Sequence, residues 1–431
     1  MTEARPTPTR HVDLPVAKAV GELRAYLKEH PQARTARLAL DGIMEHIIQD
    51  IVASDNSGAG DAQLTIQLLE ELAALFPDNP VPLLRLSKVC IDRRDHEAGL
   101  RYADAGLALD PDYPDLLMNQ ALCLQEAGEH EAAIQGFKRY LELNPDNPWA
   151  YNNIGDAFRT IGLYDQAENY LKLAIQKDHR FGPAYYNLAM LYMDQQDWPR
   201  CLHYARTAAK HDPFSREVQL ALADAYMGLK EPQSALQHAV VPTLVDKGFV
   251  EAYETLSSAY MALGMYELSV AAAREALKLN PDSWRALGYI GECRSKQGDY
   301  ADAIHFLLEA LQRNPDEDGQ YSLCWEVGWT YLQNGEYAPA LEYTDRAIRM
   351  KEFADLALSF NKGLILLAQG NLQEAEAVYD RAFARARALD NYGAIQEAVR
   401  EANDFISQRG LQLDRGSRLF KLLQGTPKRP A

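Results

Sequence analysis

The sequence predicts an all-helical chain, built as a linear array of stacked helix hairpins and closed by helical caps. Three observations predict it. Small residues recur at an interval of 34 over most of the chain, large apolar residues flank them at helical spacing, and glycines and prolines punctuate the same interval at fixed places.

Residues 1–14 are polar, carry Pro6 and Pro8, and lack the apolar run of a secretion signal, so a disordered start is expected. Residues 15–79 read as cap helices and a degenerate repeat. Val16, Val20, Leu23 and Leu27 form one helical stripe, and Leu40, Ile43, Met44, Ile47, Ile48 and Ile51 form another. A turn at Asn56 to Gly60 leads into a helix over Leu64 to Phe76, and Pro77 stands 34 residues before Pro111. An array exposes an apolar face at each end unless capped, which gives these segments a structural role.

Residues 80–390 hold nine repeats. One ladder of small residues runs Ser87, Ala121, Gly155, Ala189, Ala223, Ser257, Gly291, Gly328 and Gly363; a three-residue insertion precedes Gly328 and a single one precedes Gly363. Twelve positions on, a second runs Gly99, Ala133, Ala167, Cys201, Ala235, Ser269, Ala303, Ala340 and Ala375. A looser third runs Gly106, Tyr140, Ala174, Ala208, Pro242, Ala276, Ala310, Ala347 and Ala382. Helices whose axes lie 8–10 Å apart need small side chains where they cross. Gly128, Gly162, Gly264, Gly298, Gly335 and Gly370 fall where each first helix should end in a left-handed cap. Pro111, Pro145, Pro213, Pro281 and Pro315 close five of the units. Pro242 interrupts the second helix of the fifth repeat and predicts a bend or a shortened helix there.

Segments such as AYNNIGDAFRTIGLYDQAENYLKLAIQKD and WRALGYIGECRSKQGDYADAIHFLLEALQRNP resemble tetratricopeptide repeats, and the small and aromatic positions match in nearly all nine units. The resemblance implies a right-handed α-solenoid whose first helices line an inner wall. Residues 391–431 supply a closing helix marked by Tyr392, Ile395, Val399, Ala402, Phe405 and Ile406, then a basic tail.

A helix advances 100° per residue, so repeat positions 2, 6, 9 and 13 share the face opposite the packed one. Position 6 reads Arg85, Asn119, Asn153, Asn187, Ala221, Thr255, Tyr289, Glu326 and Asn361. An amide donates and accepts together and can pair with one peptide unit. First helices about 10 Å apart would meet every third residue of a strand rising roughly 3.3 Å per residue. The trio Asn119, Asn153 and Asn187 therefore suits the backbone of an extended peptide, much like the asparagine ladder of the O-linked N-acetylglucosamine transferase superhelix. Hydrogen bonds worth about 0.5–1.5 kcal/mol each cannot reach the roughly 8 kcal/mol of micromolar affinity. Trp149, Tyr186 and Met190 would supply apolar contact, with Asp156 one turn beyond Asn153. A second candidate patch gathers Trp325, Trp329, Tyr289 and Glu326; its indoles either anchor a ligand or pack against the C-terminal segment or a neighbouring helix.

The chain's net charge of −17 disfavours nucleic acid and anionic membrane surfaces. Inner-wall positions carry ten acids (Asp92, Asp115, Glu126, Asp156, Asp194, Glu217, Asp224, Glu251, Glu292, Glu326) and four bases (Arg85, Lys88, Arg285, Lys296), which favours a neutral or basic protein ligand. Of the residues where the family's chaperone-tail carboxylate clamp would sit, Leu84, Lys88, Asn119, Trp149 and Asn153, only Asn119 fits. The tail, with Arg409, Arg415, Arg418, Lys421, Lys428 and Arg429 against Asp414, either docks in this acidic wall or forms a free end. The five scattered cysteines read as reduced thiols, no apolar run is long enough to span a bilayer, and a cytoplasmic address follows as the expectation. Zinc-helix, phosphate-loop, dinucleotide and nucleophile-elbow motifs are absent, so no catalysis, cofactor or metal is expected. The expected role is a protein-binding scaffold or adaptor. A substrate-recruiting subunit of a transferase or other enzyme complex, and a scaffold that self-assembles through its caps as a homo-oligomer, stay open.

Overall fold

The structure, a computed structural model, describes residues 62–313, 315–350, 356–408 and, singly or in short pieces, 22, 25, 29, 42–44, 46, 410, 421 and 423. Most of the two N-terminal stripes lies outside the described residues. Two compact units, Met1–Asp212 and Pro213–Ala431, divide the chain.

The first unit opens with α1 (Ala62–Leu75), where a helix was expected. Four hairpins follow: α2 (Val81–Asp92) with α3 (His96–Leu109), α4 (Pro114–Glu126) with α5 (His130–Leu143), α6 (Pro148–Thr160) with α7 (Tyr164–Lys177), and α8 (Gly182–Asp194) with α9 (Trp198–His211). Met44 is buried with Leu69 and Leu72 of α1 and Leu86 of α2. In the second unit the hairpins are α10 (Arg216–Gly228) with α11 (Pro232–Val245), α12 (Val250–Ala262) with α13 (Tyr266–Leu279), α14 (Trp284–Gln297) with α15 (Tyr300–Gln312), α16 (Glu317–Asn334) with α17 (Tyr337–Met350), and α18 (Leu356–Ala368) with α19 (Leu372–Ala388). The closing helix is α20 (Tyr392–Gln408). The inserted residues ahead of Gly328 are absorbed by α16, which has 18 residues and starts one turn early at the Asp316 cap.

Every residue of the three small-residue ladders is buried. The fit is tight: a Cβ added at Gly155 would lie 2.6 Å from Leu171 Cγ and 3.2 Å from the Ala167 carbonyl. Gly291 repeats this geometry in the second unit, 2.6 Å from Leu307 Cγ and 3.1 Å from the Ala303 carbonyl. Where two serines meet, at Ser257 and Ser269, they bond each other across the crossing, whereas the buried Ser87 hydroxyl has no partner among the described residues. Ser257 Oγ donates to the Ser269 carbonyl at 3.0 Å, and Ser269 Oγ donates to the Ser257 carbonyl at 2.8 Å. No hydroxyl is left unpaired at that crossing, which keeps it as tight as its glycine counterparts. All five cysteines are free and buried in this packing.

The six cap glycines all adopt positive φ. In the first, fourth and fifth repeats the same left-handed place is held by Arg94 (φ 61°), Gln196 (φ 57°) and Lys230 (φ 61°). The turn geometry is thus constant while the residue that suits it best is not. Pro242 departs from expectation. The helix is not shortened: α11 runs unbroken to Val245 and matches the 14 residues of its counterparts. Pro242 sits in its last turn; it has no N–H to offer the His238 carbonyl, and its ring is buried at the third ladder position.

Gly155→Val should lower stability by about 1–3 kcal/mol, since the new methyls overlap Leu171 and the α7 backbone; an unchanged urea midpoint would contradict this packing. Lys230→Gly should raise the midpoint of the second unit by the equivalent of about 1 kcal/mol, the usual cost of a left-handed non-glycine residue.

Candidate functional site

In the first unit the asparagine row lies along α4, α6 and α8, and each amide is half-buried. The amides are partly engaged with one another. Asn187 Nδ2 donates to Asn152 Oδ1 at 3.0 Å, and Asn152 Nδ2 donates to Asn153 Oδ1 at 3.3 Å. Asn152, almost fully buried, therefore ties α6 to α8 and fixes the rotamers of both neighbours. Asn119 Nδ2 is shielded from solvent and meets no acceptor among the described residues. A buried unpaired donor costs about 1–3 kcal/mol.

Trp149 opens α6 beside this row and is 54% exposed. Asn147 Oδ1 accepts from its backbone N–H at 2.9 Å, and its ring meets Phe181 edge-on at 4.8 Å. The indole is held in place yet keeps more than half its surface free. Asn153 and Asp156 follow at one and two turns on the same face of α6. Tyr186 and Met190 of α8 are half-buried.

Asp156 is not an open carboxylate. Arg159 pairs with it at 3.0 Å and with Asp194 of α8 at 2.7 Å, while Gln125 Nε2 of α4 donates to its other oxygen at 2.9 Å. These contacts stitch three successive first helices. Arg159 stands at position 12, outside the positions taken as wall-facing, and so it was missed; the i, i+3 spacing from Asp156 was the available signal. Asn152 was legible only as the neighbour of Asn153.

The second patch splits. Trp325 is half-buried and packs on the cluster of Tyr321, Cys324, Ala347 and Leu358. Trp329 packs instead against the C-terminal cluster that includes Leu364 and Phe405. Tyr289 and Glu326 are half-buried on α14 and α16. Among the described residues, the carboxylates of Asp224, Glu254, Glu292 and Glu326 make no ion pair with Lys or Arg. Burial pushes Asp224 up to about 6, against a weak 3.5 Å bond from Thr255. Burial also raises Glu254, which accepts from Ser283 Oγ at 2.5 Å. Glu292 and Glu326 are both raised, first by burial and, for Glu292, next by the like charge of Glu326; Lys296 pulls both down. Burial and then Glu292 push the Tyr289 hydroxyl up to about 12. Among the described residues no group of three or more His, Cys, Asp or Glu side chains is arranged to hold a metal ion.

The tail has one described anchor. Leu423 is buried in the C-terminal cluster, and its carbonyl accepts from Asn403 Nδ2 at 3.1 Å. Arg409, Arg415, Arg418, Lys428 and Arg429 lie outside the described side chains.

A carboxyl with a raised folded pKa holds its proton more tightly when folded, so stability falls as pH climbs from the unfolded value through the folded one. For Asp224 that window runs from 3.8 to about 6, and for Glu292 it opens at 4.5 and extends upward. Glu292→Gln should leave the melting temperature of the second unit unchanged near pH 4 and raise it at pH 8 by about 2–4 °C, the effect of roughly 1 kcal/mol. A shift independent of pH would refute the desolvation account.

Family models described as tetratricopeptide repeat match residues 86–152, 124–191, 186–239, 255–318 and 328–393. The photosystem I assembly protein Ycf3 of Cuscuta obtusiflora is 30% identical over 115 residues, covering 24% of this chain and 67% of that protein. The BBSome complex member BBS4 of Xenopus tropicalis is 32% identical over 118 residues, covering 26% of this chain and 22% of that protein. The chain thus spans from about a fifth to two thirds of the length of these relatives. Among solved structures, a monomeric mutant of IFIT1 with m7Gppp-AAAA aligns at 15% identity with a TM-score of 0.51, over 80% of this chain and 90% of that one; the likeness is one of fold. The repeat register, the hairpin packing and the matched models agree: this chain belongs to the tetratricopeptide repeat family.

Proposed function

We propose that the protein is a non-catalytic scaffold that holds an extended protein segment along α4, α6 and α8 of its first unit. The observation that carries this reading is Trp149, a large aromatic kept 54% exposed at the start of α6 although an internal ring contact orients it. Exposed, rotamer-locked aromatics lose little entropy on binding and serve as anchors. The half-buried amides beside it supply the polar complement. The bond chain through Asn152 holds Asn153 and Asn187 ready rather than free to rotate.

Tetratricopeptide repeat proteins generally mediate protein–protein interactions, and the two relatives above carry names that speak of assembly and complex membership. Arg159 pairs with Asp156 and Asp194, while Asp115 and Glu126 keep this stretch of wall net acidic. A neutral or basic segment, held through its backbone, fits it.

On an array of peptides of random sequence, Trp149→Ala should weaken capture by about 30-fold, as befits an anchor worth roughly 2 kcal/mol. The Asn119, Asn153 and Asn187 triple alanine variant should weaken it by a further tenfold or more, with the urea midpoint of the unit kept as a control for folding. Full-strength capture by both variants would end this proposal.

A further inference from the structure

The geometry points to a second binding site, in the second unit: a cavity of about 380 Å³ in which Trp329, Glu401 and Asp404 receive the arginine side chain of a protein partner. It rests on the scaffold reading for the nature of the ligand and shares no residue with α4, α6 or α8. The cavity lies between the end of α14, the start of α15, α16, α18 and the closing helix α20, with Lys296, Tyr300 and Leu364 among its walls. Its volume sits at the low end of ligand pockets, the size of one large side chain rather than a peptide.

Glu401 and Asp404 are three residues apart on α20, which aims both carboxylates to one side, and Gln408 extends the same face by another turn. Neither acid is hydrogen-bonded or ion-paired to another described residue. The one ammonium on the cavity, Lys296, already answers Glu292 and Glu326. The wall is thus net acidic beside an indole. That combination selects arginine: a planar guanidinium stacks on Trp and meets two carboxylates with its fork, whereas a lysine offers a single hydrated point charge. Burial, followed by the like charges of Glu397 and Asp404, holds the Glu401 carboxyl above its ordinary range, a penalty that a seated cation would lift. Leu423 of the tail bonds Asn403, about 150° around α20 from the face that lines the cavity.

The full chain labelled with 5-fluorotryptophan would show this directly by fluorine NMR, the Trp329 signal being assigned from Trp329→Phe. Titration with the peptide acetyl-Gly-Gly-Arg-Gly-Gly-amide should move that signal. The same peptide with citrulline, a neutral isostere, should leave it in place, a comparison that needs no variant. Glu401→Gln with Asp404→Asn should weaken the arginine peptide at least tenfold while the melting curve reports on folding. Equal binding of the citrulline peptide, undiminished binding by the double variant, or an unmoved Trp329 signal would each overturn the assignment. So would a shift of Trp329 on changing Arg415 and Arg418 to Gln, because the tail would then be the occupant. These outcomes are independent of Trp149 and the asparagine row, so the arginine site can fail while the scaffold reading stands, and the converse.

Discussion

Everything in this molecule depends on how closely the two helices of each hairpin approach. A crossing with room for no more than a few atoms forces small residues at two fixed places, and a third place recurs in each unit. Gly155 against Leu171 and Gly291 against Leu307 show the tolerance: the same leucine fills the same notch, four repeats apart, with 2.6 Å left for an absent Cβ. The serine pair Ser257 and Ser269 reaches the same approach by hydrogen bonding. Because the crossing fixes the rotation of each helix about its axis, it also fixes which residues are left over to face outward.

Those leftover faces are not bare. Polar contacts at separations near one repeat run along the first helices: Gln125 to Asp156, Asn187 to Asn152 and Arg159 to Asp194 in the first unit, Thr255 to Asp224 and Ser295 to Thr330 in the second. A wall of side chains that bond sideways is stiffer than a wall of free ones, and its remaining donors and acceptors are pre-oriented. Pre-orientation lowers the entropy cost of gripping a flexible segment, which is where modest hydrogen bonds gain their effect on affinity.

Periodicity made the fold legible. The ladders, the cap glycines and the closing helix at Tyr392 can be read off one strand of letters, because close packing is a local demand repeated every 34 residues. Legibility ended where the decisive partner sits at another position of the next repeat. Asp156 reads as an open inner-wall acid until Arg159 and Gln125 are seen on either side of it. Trp329 reads as an exposed aromatic until the C-terminal helices are placed, since it packs against a cluster that reaches Phe405, 76 residues on, which no local pattern connects. Pro242 reads as a helix breaker because propensity counts the lost bond; the site lies in a last turn, where burial of the ring outweighs it. Asn119 was marked by its spacing, but its unpaired nitrogen is a property of the packing around it.

The two units treat the same excess of acid in different ways. In the first, Arg159 joins Asp156 to Asp194, and the negative charge is answered from within the chain. In the second, Asp224, Glu292 and Glu326 are withdrawn from water with a single lysine near the latter two, and their raised pKa values record the cost. Folding alone gives no reason to keep such groups, since glutamine fills the same space without the charge. A cation arriving with a partner would be attracted by all of them and would recover, on binding, part of the stability that folding gave up. On the reading proposed above, the first unit would select by shape and backbone, and the second by charge.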